Sequence, residues 1–239
     1  MRGLDVSSIG TNEGQFLSFY ERFSKRTFDI VFSIVGLVLT GWIIVIAFIL
    51  ASIDTGCSGF FTQERVGKNG KIFKVIKIRT MRVIPSIDTV VTTRNDPRIT
   101  MLGRFFRKTK IDELPQLINV LLGQMSFVGP RPDVPGFADT LDKEDRDIIL
   151  SVRPGITGPA TIKYRNEEEL LAKVKDPERY NREVIFPDKV RINKEYVLNY
   201  SFWKDIGYIL STIFPEFNFG GRFQKRCETQ NESKNIPSG

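Results

Sequence analysis

The longest apolar stretch of the chain lies near its N-terminus and contains no charged residue. It runs from Ile30 to Ile53, and about 20 apolar residues are enough to cross the hydrocarbon core of a bilayer. The stretch begins late, is long and lacks an obvious small-residue cleavage site after it, which argues against a cleaved signal peptide. The pattern therefore predicts a membrane anchor.

The flanks and the middle of this stretch bear on its topology. Lys25 and Arg26 precede it and further basic residues follow it in residues 65–77, so the positive-inside tendency identifies no outer end. Thr40 and Gly41 lie near the middle, where Gly weakens a helix and Thr can bond back to the backbone. A re-entrant helix that bends and returns to the same face fits both observations, and a single span is the alternative.

Beyond the anchor the hydrophobic periodicity changes several times. Two β-rich runs flank Asn69-Gly70, which predicts a hairpin. Asp112 begins a segment of helical periodicity that Gly123 ends, so we expect a helix with Asp112 as its N-cap. Residues 194–214 form an amphipathic helix pattern with Tyr and Trp, suited to a membrane interface or to packing on the same domain. Further helices are predicted at 100–109, 142–151 and 166–175, and loops at 82–97 and 129–136.

Composition narrows the chemistry. The net charge of +7 and the pI near 9.4 indicate an anionic partner such as a phosphorylated substrate, acidic lipid or nucleic acid. The chain has no histidine, which excludes a Ser-His-Asp triad, a Cys-His pair and a histidine base. Cys57 and Cys227 are too few for a disulfide framework or a structural zinc site and fit a reducing, cytoplasmic environment. Catalysis would therefore need carboxylates, Lys, Arg, Tyr, hydroxyls or a bound metal.

The adjacent carboxylates Asp112 and Glu113 are the most informative pair. At a helix start the backbone dipole favours their ionised forms by roughly 0.3–1 kcal/mol. An ionised Asp can attack phosphorus and form an acyl phosphate, and a neighbouring Glu can hold Mg²⁺. Helix capping alone is the simpler interpretation of an isolated pair, so the residues around it decide.

Those residues are cations on stiff segments. Arg131 lies between two prolines and Arg153 precedes a Pro-Gly turn, which restricts the backbone at both positions. The planar guanidinium matches the geometry of phosphate oxygens. The remaining candidate phosphate ligands are Lys77, Arg79 and Arg107. Together they would suit a pyrophosphate.

These residues fall in blocks that resemble the bacterial sugar transferases, or monotopic phosphoglycosyl transferases. The blocks are KRTFD (25–29), FFTQERVGKNGKIF (60–73), KIRTM (77–81), LGRFFRKTKIDELPQLINVLLGQMSFVGPRP (102–132) and RPGITG (153–158). The resemblance implies that Asp112 is the nucleophile and that Glu113 helps to bind Mg²⁺. It places Lys77, Arg79, Arg107 and Arg131 around the dyad and the substrate phosphates, and assigns Arg153 to the nucleotide less directly.

The resemblance also implies a fold and an activity. We expect an α+β protein: a small, mostly helical catalytic domain with a short β-hairpin, anchored by a re-entrant helix and interfacial amphipathic helices. The expected divisions are a tail at 1–24, the anchor at 25–58, the transferase domain at 59–220 and a disordered tail at 221–239. The implied reaction moves a sugar-1-phosphate from a UDP-sugar to undecaprenyl phosphate through a phosphosugar on Asp112, releasing UMP.

The same resemblance implies a setting. The reaction would start a surface polysaccharide or glycoconjugate, such as exopolysaccharide, capsule or lipopolysaccharide, at the cytoplasmic face of the bacterial inner membrane. The expected partners are the UDP-sugar, the polyprenol phosphate and membrane lipid, with a second copy of the chain or downstream glycosyltransferases as further candidates and no nucleic acid.

Two departures and two other functions remain open. Relatives often have a Ser-Pro pair where this chain has Thr40-Gly41, and a small residue where it has Lys110, which adds a positive charge beside the dyad. A non-catalytic membrane protein that binds anionic lipid through its basic face is the alternative function. An anchored nucleic-acid binder is a weaker one because no recognition motif accompanies the charge.

Overall fold

The computed structural model describes residues 17–84, 96–136 and 140–216. The predicted disordered tail at 221–239 lies outside these residues, as does most of the predicted loop at 82–97. The predicted N-terminal tail at 1–24 is described only from residue 17, and a helix already begins within it at Phe19.

The described residues form nine α-helices and two small sheets. The helices are α1 (Phe19–Thr55), α2 (Met101–Thr109), α3 (Gln116–Leu121), α4 (Lys143–Leu150), α5 (Pro159–Lys163), α6 (Glu167–Leu171), α7 (Pro177–Tyr180), α8 (Phe186–Leu198) and α9 (Phe202–Ile213). The strands are β1 (Phe60–Val66), β2 (Ile72–Ile78), β3 (Ser126–Val128) and β4 (Gly155–Thr157). The predicted α+β class with an N-terminal apolar helix is confirmed.

The anchor segment is one continuous helix, α1, of 37 residues. Ser18 and Glu21 form a reciprocal capping box at its start, and Gly56 ends it in the left-handed conformation. Thr40 and Gly41 do not interrupt the helix, but the Thr40 hydroxyl donates to the Gly36 carbonyl at 2.7 Å, a contact that often bends helices. Within the described residues, α1 is the one helix long and apolar enough to cross a membrane.

The predicted hairpin is confirmed. β1 and β2 pair antiparallel from Phe60–Ile78 to Val66–Ile72, and the connection passes through Asn69 at φ 56°, a left-handed conformation that Asn tolerates well. One face of the hairpin buries Phe73 and Val75 against Val120 and Met125, so α3 packs on β2.

The sequence did not predict the parallel pair of β3 and β4, which joins Ser126 to Gly155 and Val128 to Thr157. Each strand has three residues, too few for alternation to be recognisable. A Cβ on Gly155 would lie 2.1 Å from the Gly129 nitrogen, so this close approach requires glycine.

The prediction of one continuous helix at 194–214 is wrong. The segment divides into α8 and α9, with a break at 199–201. The break allows Tyr196 of α8 to donate to Asp205 of α9 at 2.8 Å, and Asp205 also pairs with Lys25 of α1 at 2.5 Å. The predicted helix at 166–175 is likewise shorter, because α6 ends at Leu171.

The folded domain contacts both ends of α1. Near its start, Lys25 is buried against Asp205. In its second half, Ala47 and Ala51 are buried in a cluster with Ile78 and Phe106. Both ends of the apolar stretch are therefore fastened to the same globular unit.

Candidate active site

The carboxylate dyad lies in a single 3₁₀ turn, Ile111–Glu113, between α2 and α3. Lys110 ends α2 with φ 60°, which reverses the chain immediately before the dyad. The prediction that Asp112 caps a helix is wrong, because α3 begins at Gln116 behind Pro115 and the Asp112 side chain makes no capping hydrogen bond. The dyad therefore precedes α3 by one turn and faces the interior.

Asp112 is buried, with 9% of its surface exposed. Within the described residues its Oδ1 atom has no hydrogen-bond partner. Burial raises the pKa of Asp112 to about 6, and the negative charge of Glu113 adds to the rise against the opposing charges of Lys77, Lys110 and Arg107. The sequence analysis expected the helix dipole to favour the ionised form of Asp112. The cost of burying the charge outweighs that effect, so this carboxylate gains and loses its proton near pH 6.

Glu113 has the opposite environment. Lys77 Nζ lies 3.3 Å and Arg131 Nη2 lies 3.4 Å from the same oxygen, Oε1. Burial opposes the charge of Glu113, but the charges of Lys77, Arg131 and Lys110 outweigh it and lower the pKa to about 2. Neither ion pair uses Oε2. The neighbouring carboxylates Asp112 and Glu113 therefore differ widely in pKa, as is typical of paired carboxylates that have different chemical roles.

Three of the five predicted phosphate ligands lie around the dyad. Lys77 and Arg131 contact it directly, and the Arg131 side chain is 48% exposed, so it can also reach a ligand. Arg107, in the last turn of α2, lowers the pKa of Asp112 through its charge. All three predictions as binding residues stay open, but the structure places these cations at one site.

The structure does not bring Arg79 and Arg153 to the dyad. Arg79 donates to the carbonyls of Ser58 and Phe60 at 2.7 and 3.3 Å, where it ties the end of the anchor to β1. Arg153 donates to the Gly123 carbonyl at 2.8 Å, beyond the opposite end of α3. Both contacts are structural, and they give no support to the predicted phosphate roles.

Comparison of the sequence with known proteins identifies the family to which the chain belongs. The family described as bacterial sugar transferase matches residues 20–218. The chain belongs to the bacterial sugar transferase family. It is 37% identical over 206 residues to the UDP-glucose:undecaprenyl-phosphate glucose-1-phosphate transferase of Escherichia coli, covering 84% of this chain and 42% of that protein.

Two further relatives show how length varies in the family. The undecaprenyl-phosphate galactose phosphotransferase of Salmonella typhimurium is 35% identical over 209 residues, covering 80% of this chain and 40% of that protein. The exopolysaccharide production protein ExoY of Sinorhizobium fredii is 33% identical over 206 residues, covering 80% and 84%. The chain therefore spans less than half of the Escherichia coli and Salmonella typhimurium relatives and most of the Sinorhizobium fredii relative.

One buried side chain that positions the site was not assigned in the sequence analysis. Asn119, fully buried on α3, donates to the Lys74 carbonyl at 2.8 Å and accepts from the Ile76 amide at 3.1 Å. It thereby locks α3 to β2, the strand that carries Lys77. A buried Asn inside an apolar helical pattern was the available signal, since buried amides need partners.

A divalent cation at this site would take ligands from both the dyad and the substrate. Among the described residues there is no group of three or more acidic, Cys or His side chains that could hold a metal. Mg²⁺ commonly takes one or two carboxylates together with substrate phosphates and waters. Glu113, whose Oε2 is outside both ion pairs, and the unpartnered oxygen of Asp112 fit that mode.

Proposed function

We propose that this protein transfers a sugar-1-phosphate from a UDP-sugar to undecaprenyl phosphate and releases UMP. The observation that carries the proposal is the buried Asp112 carboxylate. One of its oxygens has no partner among the described residues, and its pKa is near 6 beside Glu113, whose pKa is lowered to about 2. Relatives named for undecaprenyl-phosphate sugar transfer support the same reaction.

In the first step a carboxylate oxygen of Asp112 attacks the β-phosphorus of the donor. The bond between that phosphorus and the bridging oxygen breaks, and UMP leaves with the electron pair. The phosphosugar remains on Asp112 as an acyl phosphate. A desolvated carboxylate of raised pKa is a stronger nucleophile than a solvated one, so burial serves this step.

The cations act on the phosphates. Arg131 and Lys77 neutralise Glu113 and hold the turn in place, and the exposed part of Arg131 offers donors to the diphosphate. Arg107 adds positive charge at the end of α2. Mg²⁺, held by Glu113 and donor oxygens, would neutralise charge on the diphosphate and orient the leaving group.

In the second step a phosphate oxygen of the polyprenol phosphate attacks the phosphorus of the intermediate. The acyl phosphate bond breaks and the electron pair returns to Asp112. The product is a polyprenol diphosphate sugar, the first lipid-linked unit of a surface glycan. The acceptor phosphate lies at the membrane surface, so the dyad must lie there too.

Membrane placement follows from how α1 is fastened. One domain holds Lys25 before the apolar stretch and Ala51 near its end. If that domain lies on one side of the membrane, both ends of the stretch lie on that side, which supports a re-entrant helix over a single span. Basic flanks on both sides agree with the cytoplasmic face of the inner membrane.

Two short helices extend this membrane surface. α2 and α9 both contact α1. Met101 and Phe105 of α2 are 86% and 54% exposed, and Trp203 and Ile213 of α9 are 75% and 61% exposed. Exposed apolar and Trp side chains beside an apolar helix suit the lipid interface, so we assign both helices to it.

The test is UMP release by the full chain in detergent or nanodiscs with Mg²⁺ and undecaprenyl phosphate. UDP-glucose, UDP-galactose and UDP-N-acetylgalactosamine form the first donor panel, because the relatives' names differ in the sugar. We expect UMP and a lipid-linked sugar with at least one donor. A folded, membrane-inserted protein that releases no UMP with a broad donor panel favours the anionic-lipid binder instead.

A further inference from the structure

The short helix α3 connects the dyad to the membrane anchor. The dyad turn immediately precedes its N-terminal end. Near its C-terminal end, Arg26 of α1 donates to the carbonyls of Val120 and Leu121 at 2.7 and 2.8 Å. α3 is therefore held by α1 on one side and by β2, through Asn119, on the other.

Helices α1 and α3 also approach each other closely at a glycine, Gly36 of α1. A Cβ built on Gly36 would lie 3.0 Å from Leu117 Cδ1 and 3.6 Å from its Cδ2. Leu117 is buried and lies on the first turn of α3. Gly36 lies within the apolar stretch, about 9 Å of helix beyond its first residue. The absence of a side chain at this position lets α3 lie directly against the membrane helix.

A second glycine of α1 provides the contrast. Gly41 lies five positions further along the same helix, and a Cβ built there would meet nothing within 4 Å. Both glycines weaken an α-helix by a similar amount. The close contact at Gly36 is thus specific to the side of α1 that faces α3.

We propose that Gly36 is a positioning residue: its contact with Leu117 sets the height of Asp112 relative to the lipid surface, so that the acceptor phosphate can reach the intermediate. This inference rests on the proposed transferase function. The donor reaches Asp112 from water and can adjust its position. The acceptor phosphate is confined to the headgroup layer, so displacing α3 along or away from α1 separates the reacting atoms in the second step alone. Misplacement by about 1 Å can slow a reaction on the order of 100-fold.

The test separates the two steps in Gly36→Val, Leu117→Ala and the double variant. The donor step is measured as the burst of UMP without acceptor, and the second step as turnover with undecaprenyl phosphate. For Gly36→Val we expect an unchanged burst and a turnover reduced by roughly tenfold or more. Leu117→Ala removes the atoms that the valine meets, so the double variant regains turnover. Gly41→Val is the matched control and keeps both steps.

Three results overturn the proposal. They are unchanged turnover in Gly36→Val, an equal loss of burst and turnover, and no recovery in the double variant. If Gly36→Val does not insert into membranes, Gly36→Ala makes a milder comparison, because its single added carbon requires Leu117 to move by a few tenths of an ångström. We then expect an unchanged burst and a turnover reduced by about two- to threefold, and unchanged turnover overturns the proposal. Failure of the transferase function itself is distinguishable, since the unmodified protein would then release no UMP.

Discussion

The two ends of α3 carry similar charges and have opposite roles. Before its N-terminus, Lys77 and Arg131 share one oxygen of Glu113, and Asp112 has an oxygen with no partner in the described part of the chain. Beyond its C-terminus, Arg26 and Arg153 donate at 2.7–2.8 Å to the carbonyls that end the helix. Cations at a helix C-terminus satisfy its unpaired carbonyls and its dipole.

The comparison shows that an arginine on a stiff loop is not by itself a sign of phosphate binding. What distinguishes the two ends is the partner of the arginine and its exposure to solvent. The Gly123 carbonyl accepts from Nε of the partly buried Arg153 at 2.8 Å, whereas the Arg131 guanidinium makes a longer contact of 3.4 Å to Glu113 and remains half exposed. Asp29, near the C-terminal end, also has an oxygen without a partner among the described residues, but it is 1% exposed. The end with the exposed guanidinium is the end that a ligand can reach.

The largest expected effect is at Asp112. Asp112→Asn removes the nucleophile and should reduce UMP release by about 1,000-fold or more. The variant should be no less stable at pH 7.5, because a buried unpartnered charge is removed. Parallel measurements of UMP release and thermal unfolding check both parts.

Asp29, near the other end of α3, provides the matched control. Its Oδ1 accepts from the Ser126 hydroxyl and the Phe127 amide, both at 3.0 Å. Asp29→Asn should cost about 1–3 kcal/mol of stability and leave activity per folded molecule within about twofold. Loss of chemistry in Asp29→Asn with unchanged stability would reverse the assignment of the two ends.

Arg131 and Arg153 offer the next contrast. Arg131→Ala should lower kcat/KM by about 10–100-fold, as expected for loss of a charge-assisted phosphate contact, and cost little stability because the side chain is half exposed. Arg153→Ala should cost about 1–2 kcal/mol with kcat/KM retained. Steady-state kinetics and unfolding of both variants decide; a kinetic loss confined to Arg153→Ala would contradict the distinction.

The pH dependence should follow Asp112. With its pKa near 6, the ionised nucleophile is lost below that value, so the donor step should fall about tenfold per pH unit. A pKa raised on folding means that the folded state holds the proton more tightly than the unfolded state. Stability therefore decreases as pH rises, by about 1–2 kcal/mol between pH 5 and 7.5.

Glu113 does not contribute to the change in stability between pH 5 and 7.5. Its pKa is lowered to about 2, so its stabilising effect is fully present above its ordinary value and is lost only as pH falls towards 2. Asp112→Asn serves as the control for stability and should reduce the slope between pH 5 and 7.5 by the contribution of Asp112. Burial also raises the pKa values of Asp29, Asp133 and Asp205, which can contribute to the slope that remains. A slope unchanged in this variant would mean that Asp112 does not titrate in this range.

The smallest effect concerns Lys110. Asn adopts the left-handed conformation more readily than Lys, so Lys110→Asn should add about 0.5 kcal/mol of stability. The charge of Lys110 lowers the pKa of Asp112. Removing that charge should therefore raise the pH at which the donor step is half-maximal by roughly a few tenths of a pH unit. Lys108→Gln, which removes an exposed charge two residues earlier, is the control and should leave the midpoint unchanged.

The sequence predicted the elements that local chemistry determines. The hairpin follows from Asn69-Gly70, and α2 from the short basic segment at 100–109, and both are confirmed. The environment of Asp112 was not predictable in the same way, because it depends on the tertiary fold, which brings Lys77 of β2 and Arg131 of the loop at 129–136 to the dyad turn. The position of Arg153 depends on pairing between β3 and β4, which three-residue strands do not signal.

The central claim is that Asp112 becomes bonded to phosphorus. Rapidly quenched enzyme, incubated with an active UDP-sugar and Mg²⁺ but no acceptor, should yield on peptide mass spectrometry a fragment in which Asp112 carries the mass of the phosphosugar. Undecaprenyl phosphate added before quenching should remove that mass. An active enzyme that never carries this mass, or carries it on another residue, would contradict the account.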